Sequence, residues 1–168
     1  MDIDKLKKFE KLPPDVKRQL ALYMSKWNDK KKQSTIKQDF MAFVKHVWPD
    51  FIEGSHHKQV AKKFNDIANG KTKRVIINMA PRHTKSEFAS YLLPAWMVGR
   101  NPKLKIIQST NTTELSVRFG RKAKALMDTP EYKEIFETRL KEDSQAAGKW
   151  ETQQGGEYYA AGVGSAIT

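Results

Sequence analysis

The chain has 168 residues, a formal net charge of +12 and a pI of about 9.8. That length suffices for one domain with a real core, and the excess of Lys and Arg points to a polyanionic partner. There is no Cys, hence no disulfide framework or thiolate metal site; Met1 to Glu10 lacks the apolar centre of a signal peptide, and no apolar run is long enough to span a bilayer.

Pro13-Pro14 opens a first helix, in which Val16, Leu20, Tyr23, Met24 and Trp27 recur at helical spacing. Asn28 to Ser34, with Lys30-Lys31-Lys32, reads as a solvated linker in preference to a DNA-contacting arm. Thr35 with Gln38 has the form of a capping box, and behind it Ile36, Phe40, Phe43, Val44 and Val47 make the stripe of a second helix that ends before Pro49. Trp48 to Phe51 is a connection. Ser55 is the expected N-cap of a third helix, with Val60, Phe64 and Ile67 on its apolar face and Asn69-Gly70 as its stop. His56 and His57 invite a metal reading, but no acidic or Cys partner stands at ligand spacing.

Lys73 to Met79 is short, β-branched and apolar at its centre, which predicts a strand buried on both faces of a parallel sheet. A tight loop follows, and a helix opens at Lys85-Ser86. Such a loop points backbone N–H groups over the helix N-terminus, where the dipole favours an anion. Lys85 can reach the outer phosphates of a nucleotide and the Ser86 hydroxyl can ligate Mg²⁺. The usual phosphate loop has Gly six residues before the Lys and again just before it; here those places hold Met79 and Thr84. Without glycine the same geometry carries a steric cost, and an ordinary strand-to-helix connection stands as the alternative.

The helix from Lys85 carries Phe88, Leu92 and Leu93 up to Pro94, which kinks or ends it. Gly99 to Pro102 is a turn and Leu104 to Ser109 a second strand, giving a βαβ unit. Asn111 is the expected cap of the next helix, lined inside by Leu115, Phe119, Ala123 and Leu126. Arg118, Arg121, Lys122 and Lys124 lie off that stripe and are candidates for neutralising DNA phosphates. Residues 71–124 hold twelve Lys and Arg against Glu87 and Glu114, a net +10, whereas residues 1–70 carry +6 and residues 125–168 carry −4. A short helix over Glu131 to Phe136 and a hairpin pairing Trp150 to Thr152 with Glu157 to Ala161 complete the pattern. An apolar strand ending in Asp, needed with a Glu for ATP hydrolysis in this class, does not occur; Leu126-Met127-Asp128 imitates it in a helical context.

Ala80 to Glu87 resembles the Walker A segment of tailed-bacteriophage terminase large subunits. Ser55 to Gln59, Pro94 to Pro102, Arg118 to Arg121 and Gly155 to Ser165 resemble further segments of that family, in family order. The resemblance implies an α/β fold: a helical N-terminal region, residues 1–54, followed over 55–168 by an incomplete P-loop NTPase domain with a parallel sheet. It implies the N-terminal ATPase portion of an ATP-driven motor that packages viral DNA into proheads, as a truncated or split chain that ends before Walker B and the nuclease domain. ATP and Mg²⁺ are the implied cofactors, with Lys85 and Arg82 as catalytic residues and Ser86 on the metal. Gln59, Pro81, Arg82, His83, Thr84, Lys85, Ser86 and Glu87 are the implied nucleotide contacts. An arginine from a neighbouring subunit is also used in the family; Arg100, Arg121 and Arg139 are candidates. Double-stranded DNA, the portal protein, the terminase small subunit and a homo-oligomeric ring are the implied partners, in the host cytoplasm and transiently at the procapsid portal. The rival expectations are another P-loop translocase or helicase fragment, and a basic DNA-binding adaptor with a vestigial loop.

Overall fold

The structure is a computed structural model and describes residues 12–164. Met1 to Glu10 and Ser165, the end of the Gly155 to Ser165 segment, lie outside the described residues. The chain divides into two compact units between Thr35 and Ile36. The elements are mixed α and β: a helical region leads into a four-stranded mixed sheet. No helix among the described residues is long and apolar enough to cross a membrane.

Helix α1 (Pro14–Gln38) runs unbroken through the Lys-rich stretch expected as a linker. The correction has a local cause. Residues 28–34 contain no Gly or Pro, and Lys and Gln are good helix formers. Thr35 is no cap; its hydroxyl donates to the Lys31 carbonyl one turn back, at 3.0 Å. Within the first unit the expected apolar stripe is largely exposed, with Tyr23 70% and Trp27 55% accessible.

The second unit holds the core. Asp39 caps α2 (Phe40–Val47), its Oδ1 accepting from the Ala42 N–H at 2.8 Å. Helix α3 (Ser55–Ala68) is capped by Gly54, so the expected cap Ser55 is its first helical residue. Asn65 of α3 fastens the two helices: its Nδ2 donates to Asp39 Oδ2 at 2.7 Å and its Oδ1 accepts from the Phe40 N–H at 2.8 Å. Phe40, fully buried, makes edge-on contacts with Phe64, Phe88 and Trp96.

Lys73 to Met79 forms no strand. Burial along the segment alternates: Val75, Ile77 and Met79 are half-buried, whereas Ile76 is 89% exposed. A β-branched run has only the propensity to be a strand; a ladder needs a partner for its N–H and C=O groups, and none lies beside it among the described residues.

After the bend come α4 (Lys85–Glu87), a π turn (Phe88–Leu92) and α5 (Leu93–Arg100) in one continuous run. Pro94 therefore does not end the helix. The preceding turn widens instead, Leu93 N–H bonding to Phe88 O, which makes room for the pyrrolidine ring.

The sheet order is β1 (Lys105–Thr110), β4 (Glu157–Gly162), β3 (Lys149–Thr152), β2 (Leu140–Ala146). Only β1 and β4 are parallel, with Ile107 opposite Tyr159; β4–β3 and β3–β2 are antiparallel. The expected β3–β4 hairpin is present and β1–β4 is a parallel pair, but the strand expected over Lys73 to Met79, and with it the βαβ unit, is absent. Helix α6 (Thr113–Asp128) lies across β1 and β4, capped by Thr112 where Asn111 was expected. Gly120 allows its close approach: a Cβ there would meet the Ala147 carbonyl oxygen at 2.5 Å and the Tyr158 ring at 2.8 Å. The expected short helix is α7 (Pro130–Ile135).

Candidate functional site

The bend between Ala80 and Lys85 is built on two non-glycine residues with left-handed backbone, Arg82 (φ 63°) and Thr84 (φ 58°). For the β-branched Thr84 this conformation is an outlier that costs about 1–3 kcal/mol unless its surroundings hold it. Thr84 stands where the regular loop has glycine, so the backbone adopts a glycine-like conformation without the glycine.

The surroundings are specific. His57, 7% exposed, brings its Nε2 to 2.6 Å from Thr84 Oγ1. Its Nδ1 accepts from the Gly54 N–H at 2.9 Å, so the ring proton of the neutral side chain sits on Nε2. Thr84 Oγ1 donates in turn to the His83 carbonyl at 2.6 Å. His56 places its Nε2 3.0 Å from the same His57 nitrogen, where it accepts a share of that proton. His83 donates from Nδ1 to the Pro81 carbonyl at 2.8 Å, crossing the turn. Burial lowers the pKa of His57 from its ordinary value; His56 and, more weakly, His83 act in the same direction, and Glu53 opposes them.

Pro81, Arg82, His83, Lys85 and Ser86 are exposed. The Lys85 amine donates to the Met79 carbonyl at 3.2 Å, curling over the bend. A small cavity of about 10 Å³ lies under the loop, lined by His57, Val60, Phe64, Met79, Thr84 and Phe88 among others. Gln59 is exposed and projects from α3 away from the His57, Val60 and Phe64 face. Glu87 receives the Lys122 amine at 3.1 Å on both carboxylate oxygens. Lys122 also sits 5.2 Å from the Tyr91 ring, and the Tyr91 phenol is pushed up to about 12 by burial and then by Glu87.

On α6, Arg118 and Arg121 are exposed, whereas Lys122 and Lys124 are half-buried. Arg121 and Lys124 line a cavity of about 560 Å³ together with Lys133 and Arg139. Arg139 is held by the Phe136 and Thr138 carbonyls at 2.8 and 2.9 Å. Arg100 donates to Asn69 at 2.9 Å and lies over the Trp96 ring. Asp128 ends α6 paired with Lys133 and belongs to no strand.

The fold thus gathers His83, Thr84, Lys85, Ser86 and Glu87 at one bend and brings Lys122 to it, leaving Arg118 and Arg121 outside. Sequence reasoning missed His57. The available signal was a residue needing left-handed backbone at position 84 without being glycine, which demands an external partner. Among the described residues no group of three or more His, Cys, Asp or Glu is arranged to hold a metal ion. Set against known proteins, the chain matches no family model, no curated protein and no solved structure.

Proposed function

We propose that this chain is the N-terminal ATPase portion of a phage terminase large subunit, a motor that packages double-stranded DNA at the portal. The observation that carries the reading is the Ala80–Ser86 bend. A glycine-like backbone at Thr84 leads directly into a helix whose first residues are Lys85 and Ser86. The donors present suit the phosphate end of MgATP: the N–H groups of the exposed loop residues and the Lys85 amine would meet phosphate oxygens, and the Ser86 hydroxyl would ligate the metal. Bound Mg²⁺ supplies charge neutralisation on the phosphates. Arg82, exposed on the same bend, stabilises transition-state charge in cis. The net +10 of residues 71–124 and the exposed Arg118 and Arg121 suit DNA. Hydrolysis also requires an acidic strand, which this sequence lacks, and β1 stands at an edge of the sheet among the described residues.

This chain alone therefore binds MgATP weakly and hydrolyses it barely or not at all. The test is titration of the 168-residue chain with a fluorescent ATP analogue and Mg²⁺, alongside Lys85→Ala. A weak saturable site lost in the variant supports the reading. Brisk turnover abolished by Lys85→Ala overturns its incomplete-site part.

Two observations favour a second reading, a basic DNA-binding adaptor with a vestigial loop. The Lys85 amine is engaged with Met79 O, and the cavity under the bend is small. Salt-sensitive DNA binding without any saturable nucleotide site selects the adaptor.

A further inference from the structure

We propose that His57 is a positioning residue for the bend: its Nε2–H holds the Thr84 hydroxyl and so keeps residue 84 in the left-handed conformation that glycine would adopt unaided. The proposal rests on the phosphate-loop reading for its functional consequence, but the lock itself does not.

The polar atoms of the lock are committed, with Nε2–H closest to Thr84 and shared with His56 Nε2 at 3.0 Å. Gly54 N–H fixes the His57 tautomer through Nδ1 at 2.9 Å. Nε2–H meets Thr84 Oγ1 at 2.6 Å, and that hydroxyl spends its own proton on His83 O at 2.6 Å. The hydroxyl therefore has one orientation, and with it the Thr84 side chain. The ring cannot swing away. It is wedged between Phe51 and Phe88, with centroids at 4.8 and 5.2 Å, and its backbone N–H is tied to Gly54 O at 3.1 Å in the first turn of α3. Gly54 leaves room for the two rings: a Cβ there would meet the His56 ring at 2.7 Å and His57 Nδ1 at 3.4 Å. His57 and Thr84 are 27 residues apart in sequence, so the strut joins two elements and not two neighbours.

The lock sets where the next N–H groups point. Thr84 O already accepts from Phe88 N–H at 2.9 Å as the helix begins, so a change of backbone at residue 84 would re-aim the amides of Thr84, Lys85 and Ser86 together. A glycine loop needs no such strut. Here the strut replaces the glycine.

The experiment is a double-mutant cycle of His57→Phe and Thr84→Gly, read by affinity for a fluorescent ATP analogue with Mg²⁺ and by thermal melting. His57→Phe keeps a ring between Phe51 and Phe88 but loses Nε2–H. In the Thr84 background it is expected to weaken nucleotide binding on the order of tenfold, as loss of a buried hydrogen bond does. In the Thr84→Gly background it is expected to change affinity less than about twofold, since glycine adopts positive φ freely. Melting temperature should follow the same pattern. Equal losses in both backgrounds on both readouts would make His57 a packing residue and overturn the proposal. If no variant binds nucleotide, the phosphate-loop reading fails, while the melting cycle still decides the lock. Should His57→Phe not fold, Thr84→Val removes the same hydrogen bond, together with the one to His83 O, from the half-buried Thr84 side. Destabilisation of Thr84→Val relative to the equally β-branched wild-type Thr84 supports the strut, and equal stability of the two overturns it.

Discussion

Lys122 on α6 grips Glu87 symmetrically, its amine 3.1 Å from both carboxylate oxygens. The pair joins the first turn after the bend to the basic helix that crosses β1 and β4. A side chain grouped by periodicity with the outward Arg118 and Arg121 is thus turned toward the bend. On a helix, one position is enough to move a residue from the solvent face to the flank that packs.

On the proposed DNA-binding reading, Lys122→Met is therefore expected to leave the salt dependence of that binding nearly unchanged, whereas Arg121→Gln should reduce the slope by about one counterion. The Lys122–Glu87 side chains are 39% and 34% exposed, so solvent screening limits the loss of stability to less than about 1 kcal/mol. Affinity measured against salt concentration for both variants checks this. An equal drop in slope for Lys122→Met would return that lysine to the phosphate-contacting face.

Asp39 is expected to matter more than an ordinary cap. Asp39→Ala removes the bond to Ala42 N–H and the anchor for Asn65, costing about 1–2 kcal/mol. Asp39→Asn should keep the cap yet still cost about 1 kcal/mol. Both ends of the Asn65 amide are already committed, so an amide nitrogen at position 39 would face the Asn65 Nδ2 donor, and turning Asn65 over would strand the Phe40 N–H. Urea unfolding of the two variants tests this, and wild-type stability in Asp39→Asn would sink it.

The elements that were legible in the sequence are those defined by their own residues. Phe40, Phe43 and Val44, or Phe119 and Ala123, mark a buried helical face because the period is local. The β3–β4 hairpin was legible because its turn is only four residues long. The misread parts depend on distant partners. Lys73 to Met79 has strand composition but no neighbouring strand, and the parallel neighbour of β1 lies about 50 residues further on, with Ile107 facing Tyr159. Thr35 lost its expected capping role to Asp39, which Asn65 supports from another helix. The bend itself was legible from Lys85-Ser86, whereas what holds it, His57, was not, because nothing near residue 84 names its partner.

Gly120→Ala should destabilise the protein although alanine is the better helix former by about 1 kcal/mol. The added methyl would press on a backbone oxygen, Ala147 O, which cannot rotate away, as well as on the buried Tyr158 ring stacked on Trp150. A net loss of about 1–3 kcal/mol is expected from overpacking. Thermal or urea denaturation reads it, and a stabilised variant would mean that α6 does not approach the sheet this closely.

The last prediction concerns pH. The folded protein lowers the His57 pKa, mainly by burial and secondarily through His56. His56 and His83 repel its charged form, Glu53 favours it, and the flanking Phe51 and Phe88 offer it no solvation. Protonation would also put a proton on Nδ1, opposite the Gly54 N–H that now donates to it. The unfolded chain, with an ordinary His pKa of about 6.5, therefore takes up the proton first as pH falls. The neutral-ring contribution to stability is fully present above about pH 6.5 and is lost progressively below it, down through the lowered folded pKa. Melting temperatures of wild type and His57→Phe between about pH 5 and 8 isolate this group from the other histidines. The difference between the two proteins should be largest at the alkaline end and shrink toward acid; a constant difference would mean that His57 titrates alike in the folded and unfolded chains.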